Sequence, residues 1–129
     1  TYVSTALAYN QAEQYDEALN VLERIPEKIS DEMTILITKA RIYYTKGDQE
    51  ATKENLAAAV EKSGENLSDL NQILSMMREF KYEEEAKVVA EKIEKIQARR
   101  AEEQEALEEL YKQEQEKVEA AQQAEADEK

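Results

Sequence analysis

The sequence predicts an all-α protein of packed helical hairpins followed by a long C-terminal helix, and three observations carry that reading. Apolar and small residues recur at a constant offset of 34 positions: Ala6, Tyr9, Ala18, Leu22 and Ile25 are followed by Ala40, Tyr43, Thr52, Leu56 and Ala59, then by Leu74, Met77, Ala86, Ala90 and Ile93. Helix breakers are scarce, with two Gly and one Pro in 129 residues, which suits long helices and not a sheet-forming chain. From Gln97 onward no breaker occurs, and Ala, Glu, Gln, Lys and Arg, all good helix formers, dominate.

The first hairpin spans about residues 1–29. Tyr2, Ala6 and Tyr9 share one face of a helix over Tyr2 to Ala12, with Leu7 flanking it. Glu13 and Gln14 occupy the turn. Tyr15-Asp16-Glu17-Ala18 opens a second helix, which Leu19, Leu22 and Ile25 continue until Pro26, a residue without an N–H to donate.

The second hairpin spans about 30–64, and it is the clearest unit of the chain. Ser30 or Asp31 offers an N-cap, and Leu36, Ala40 and Tyr43 form a stripe with Tyr44 beside it. Lys46-Gly47-Asp48 is the turn signal, after which Thr52, Leu56, Ala59 and Val60 make the facing stripe.

The third hairpin spans about 65–96. After the linker Ser63-Gly64-Glu65-Asn66, Ser68-Asp69 is expected to cap a helix over Leu70 to Phe80 that places Leu70, Ile73, Leu74 and Met77 on one face. Phe80-Lys81-Tyr82 puts bulky residues at the turn. A last helix from Glu83 to Ile96 buries Ala86, Val89, Ala90, Ile93 and Ile96. Residues 97–129 then form an acidic helical extension, expected to cap the last hairpin through about Tyr111 and to fray beyond it. Ala86, Val89, Ile93, Ile96, Leu107 and Leu110 fit heptad core positions, but Arg100, Glu103, Glu114 and Lys117 interrupt them, so a capping helix is preferred to a stable dimeric coiled coil.

A period of 34 with small residues where helices cross resembles the tetratricopeptide repeat (TPR) family, over about residues 2–96 and most closely in the first two units. The resemblance implies a right-handed α-α superhelix of hairpins, with Tyr2 and Tyr9 as packing aromatics and Ala6 at a close helix crossing. Lys39 and Thr52 depart from the bulky and small residues that the family places there. Because the match begins almost at residue 1, with Thr and not Met, the expectation is a piece of a longer chain with further repeats upstream.

Composition narrows the function. Seventeen basic against thirty acidic side chains give a formal net charge of −13, which disfavours a phosphate backbone as partner. No apolar run is long enough for a membrane span. Without Cys or His the chain has no thiolate ligand or nucleophile and no imidazole base. Glu83-Glu84-Glu85 point in different directions around a helix and have no Gly-centred calcium loop, and Gly47 and Gly64 stand alone without a phosphate-binding loop. No enzyme, metal or cofactor is therefore expected. No targeting signal fixes the compartment, and the cytoplasm is favoured.

The resemblance implies that the first helix of each hairpin lines a concave surface holding a partner peptide or helix. Carried onto this chain, the partner-binding candidates are Val3, Leu7 and Asn10, then Ile37, Thr38, Arg41 and Tyr44, then Asn71, Gln72, Ser75 and Arg78, flanked by Gln11, Thr34 and Thr45. This projected surface has two Arg and no carboxylate in an otherwise acidic chain. Arg41 and Arg78 suit bidentate pairing with a carboxylate, and Tyr44 and Ile37 offer apolar contact. The family's clamp for chaperone C-terminal carboxylates is not matched, since Val3, Leu7, Thr38, Ser68 and Gln72 stand at its positions. The leading expectation is a non-enzymatic protein-interaction, scaffold or adaptor module. The alternative is a structural C-terminal segment of a longer solenoid that mediates self-association or complex assembly.

Overall fold

The computed structural model describes residues 1–128; Lys129, the last residue of the expected extension, lies outside the described residues. The helices are α1 (Tyr2–Gln11), α2 (Tyr15–Glu23), α3 (Glu32–Lys46), α4 (Gln49–Ser63), α5 (Leu67–Glu79) and α6 (Glu83–Asp127), with a 3-10 turn, Glu27–Ile29, between α2 and α3. The architecture is all-α, and successive helices pack on one another. α1 lies on α2, both contact α3, and α3 lies on α4, which contacts α5. The chain divides into two units, Thr1–Ile93 and the residues from Glu94 on.

Within the first unit, the 34-position recurrence in sequence is also a recurrence in backbone geometry. Glu13, Gly47 and Lys81 all have positive φ, at 62°, 92° and 64°. The following N–H in each case reaches back to the carbonyl five residues earlier: Gln14 to Tyr9 at 2.9 Å, Asp48 to Tyr43 at 2.9 Å and Tyr82 to Met77 at 2.8 Å. The N–H groups of Glu13, Gly47 and Lys81 donate to Asn10, Tyr44 and Arg78 at 3.0, 3.0 and 3.1 Å. This pair of bonds is the Schellman arrangement, which satisfies otherwise orphaned carbonyls at a helix end and requires one left-handed residue.

Burial follows the same spacing. Ala6, Ala18, Ala40, Thr52 and Ala59 are fully buried, so their small side chains let helix backbones approach closely. Leu22, Leu56 and Ile93 fill the equivalent second-helix faces or their neighbours. Thr52 takes its buried place without a polar penalty because its hydroxyl donates to the Asp48 carbonyl at 2.7 Å. Ile42 of α3 enters the core of the first hairpin, among Ala6, Ala18, Val21 and Leu22, with Tyr9, Tyr15, Leu19 and Ile25 packed around it. With Leu56, Leu70 and Ile73 it belongs to the largest side chains fully removed from water, each worth about 1.5–3 kcal/mol of transfer free energy as an upper bound.

Several element ends differ from the sequence expectation, for local reasons. α2 stops at Glu23, before Ile25, and Arg24 closes it, so Pro26 stands beyond the helix at the entry to the 3-10 turn. Asp31 is the cap of α3, accepting from the N–H of Met33 at 3.1 Å, whereas the Ser30 hydroxyl donates to the Glu27 carbonyl. The cap of α5 is Asn66 and not Ser68 or Asp69: its Oδ1 accepts from the Asp69 N–H at 3.0 Å, which starts the helix at Leu67. Asp48 caps α4 by accepting from the Ala51 N–H at 3.1 Å.

α6 continues without a break to Asp127, so at 1.5 Å per residue it is about 65–70 Å long. Its Ala86, Val89 and Ile93 are buried, while Leu107, Leu110, Tyr111 and Val118 are exposed.

Candidate functional site

Because the hairpin turns superpose in chain position, the first helices α1, α3 and α5 carry equivalent residues. Val3, Ile37 and Asn71 form one such set, Leu7, Arg41 and Ser75 a second, and Asn10, Tyr44 and Arg78 a third. Their environments diverge. Val3 and Leu7 are half-buried, Asn10, Ile37 and Thr38 are buried, Arg41 is half-buried, and Tyr44, Asn71, Gln72, Ser75 and Arg78 are exposed. Ile37 and Thr38 are taken out of contact with solvent because α3 packs against α1, α2 and α4 together, leaving it a narrow outer face. The Thr38 hydroxyl is spent on the Thr34 carbonyl at 2.7 Å.

Asn10 lies between α1 and α3. Its amide nitrogen donates to the Thr45 hydroxyl at 3.4 Å, and that hydroxyl donates to the Arg41 carbonyl at 2.9 Å. The Asn10 Oδ1 is buried and makes no hydrogen bond to another protein group.

Arg41 and Tyr44 meet residues that the sequence pattern did not single out for binding. The Arg41 guanidinium pairs with Glu79 at 3.2 Å and stands 5.7 Å from the centre of the Phe80 ring. Tyr44 stacks on the other member of that contact: its ring and that of Phe80 are 3.8 Å apart and within 9° of parallel. Tyr82 meets both rings edge-on, at 6.4 Å from Tyr44 and 5.9 Å from Phe80. On its flank Lys53 lies 4.9 Å from the Tyr82 ring centre and bonds Glu85 at 2.8 Å. That bond holds the Lys53 ammonium above its ordinary pKa and the Glu85 carboxyl below its own.

The bulky Phe80-Lys81-Tyr82 turn thus supplies the aromatic cluster that fixes Arg41 and Tyr44. The available signal was the pair of aromatics bracketing the third turn at the positions of Lys46 and Asp48, opposite a Tyr44 without an assigned packing partner. Tyr44 keeps 43% of its surface exposed. A small recess of about 270 Å³ is bounded by Tyr44, Gly47, Gln49 and Tyr82.

Asn71, Gln72, Ser75 and Arg78 lie along the outer side of α5, with the Asn71 amide donating to the Leu67 carbonyl at 2.9 Å. Chemically, these residues offer two guanidinium groups, Arg41 paired with Glu79 and Arg78 exposed, one stacked phenol, and the neutral hydrogen-bonding groups of Asn71, Gln72 and Ser75. Among the described residues no group of His, Cys, Asp or Glu is arranged to hold a metal ion, and no helix is long and apolar enough to cross a membrane. No protein-family model, curated protein or solved structure matches the chain in comparison.

Proposed function

We propose that this chain is a helical-repeat module of the tetratricopeptide type that binds a protein partner, as an extended peptide or a helix, along α1, α3 and α5, and performs no catalysis itself. The observation that carries this reading is the shared turn motif at Glu13, Gly47 and Lys81, because equal spacing and equal turns are what a repeat with equivalent first helices would have. Val3, Leu7, Arg41, Tyr44, Asn71, Gln72, Ser75 and Arg78 are the candidates that reach solvent in whole or in part. Arg41 and Tyr44 are already held by Glu79 and Phe80, so a partner that touches them meets groups with little side-chain entropy left to lose.

The test is a quantitative pulldown from native lysate that compares the chain with a Tyr44→Ala, Gln72→Glu, Arg78→Glu variant of native circular dichroism. Arg41→Glu is avoided because it would set a second carboxylate against Glu79. A discrete partner held by the parent chain and lost by the variant is the expected result. Equal capture by both would remove binding from this face.

A further inference from the structure

The extension carries a second surface, independent of the face just described. Leu107, Leu110, Tyr111 and Val118 are 61%, 54%, 68% and 49% exposed. Single exposed apolar residues are ordinary, but these four are aligned: at 100° per residue they fall within an arc of about 100° on one side of α6. Glu103 and Glu114 lie in the same arc, and Glu108 and Glu119 stand beyond its edge. Lys117, next to the arc, is already engaged by Glu114 at 3.4 Å. The result is an apolar stripe set in carboxylates, on a helix that runs unbroken through it.

We propose that this side of α6, from Glu103 to Glu119, docks a basic amphipathic helix belonging to a protein partner. The occupant follows from charge. A second copy would bring another −13 and face Glu103 and Glu114 with further carboxylates, and like charges across paired helices oppose association. An anionic membrane surface is repelled for the same reason. A helix with Leu or aromatic residues at three- and four-residue steps covers Leu107, Leu110, Tyr111 and Val118, and its flanking Lys or Arg neutralise Glu103, Glu108 and Glu114.

The experiment uses the full chain and three fluorescent probes of equal length: a Leu/Lys peptide with amphipathic helical order, the same composition scrambled, and a Leu/Glu peptide of the amphipathic order. Anisotropy titration is expected to give saturable binding of the first probe alone, weakening with added salt. Leu107→Ser, Tyr111→Ser and Val118→Ser together, in a variant of unchanged helicity, are expected to weaken it at least about tenfold. Equal binding of the scrambled probe, or equal binding by the variant, would overturn the proposal by reducing the effect to net charge. So would sedimentation showing that the chain alone dimerises and that the triple variant does not, since the stripe would then belong to a second copy.

Discussion

The turns of the second and third hairpins reach the same backbone geometry by opposite chemistry. At the second, Gly47 takes φ of 92° with no Cβ to obstruct it, and Asp48 both follows the turn and caps α4. At the third, Lys81 takes φ of 64°, a conformation that costs an ordinary L residue about 1–2 kcal/mol, and Tyr82 stands where the capping aspartate was. Aromatic packing is the compensation. Phe80 and Tyr82 are buried to within 5% and 8% of exposure, and Tyr44 from the preceding hairpin closes over them. The first turn has neither device: Glu13 is left-handed and Gln14 makes no side-chain cap bond. The repeat therefore resides in the hydrogen-bond geometry of the turn, which forms with a glycine at the second turn, with aromatic packing at the third and with neither at the first.

The strongest way to break the comparison is Phe80→Ala. It deletes the ring on which Tyr44 stacks and beside which Arg41 rests, and a loss of about 3 kcal/mol is expected from the lower end of buried Phe truncations. Urea unfolding reads it; a loss under about 1 kcal/mol would mean that the aromatic cluster does not support the third turn. Next comes Gly47→Ala. No atom lies within 4 Å of the Cβ it would gain, so the expected loss of about 1 kcal/mol is backbone strain alone. Lys81→Gly and Glu13→Gly sharpen the contrast in the other direction. Relief of the left-handed strain outweighs the added freedom of the unfolded chain, and each is expected to raise stability by about 0.5 kcal/mol. If either destabilises instead, the Lys or Glu side chain supplies a contact that outweighs its strain.

Much of this fold was legible in the sequence because the interactions that shape it most are local and periodic. The Lys46-Gly47-Asp48 turn, a cap at Ser30 or Asp31, and the small residues Ala6, Ala18, Ala40 and Ala59 are readable from residue type and spacing. The Asn66 cap was missed because Ser68 and Asp69 compete for the same role in sequence, and only the backbone decides which oxygen reaches the Asp69 N–H. Ile42 and Ile37 escaped a one-face reading of α3, since a helix contacted by three others buries more than one stripe. At the candidate site, Arg41 and Tyr44 were nameable only through the resemblance carried onto their positions. Their partners Glu79 and Phe80 were not, because those contacts join positions more than 30 residues apart in the chain.

The smallest expected effect concerns the ion pair that borders the third turn. Lys53 on α4 and Glu85 on α6 are 2.8 Å apart, and the bond lowers the Glu85 pKa and raises that of Lys53. A lowered carboxyl pKa gives stability that is present above the unfolded value, about 4.3, and lost as pH falls through the folded one. A raised ammonium pKa gives stability fully present below about 10.4 and lost as pH rises through the folded value. Glu85→Gln is therefore expected to flatten the urea midpoint slightly on both limbs, below about pH 4.5 and above about pH 10, while leaving its slope with pH near neutrality unchanged. The change stays small because both side chains are over a third exposed, at 39% and 35%, and water screens the pair. Lys53→Met separates the pair from the packing: it keeps an aliphatic stem against Tyr82 but removes the charge above the ring. If the two variants flatten the limbs equally, the ion pair is their source. A parent chain whose midpoint already has the same pH profile as Glu85→Gln would show that the Lys53–Glu85 pair adds nothing measurable to the contacts that Arg41 and Tyr44 make with Glu79, Phe80 and Tyr82.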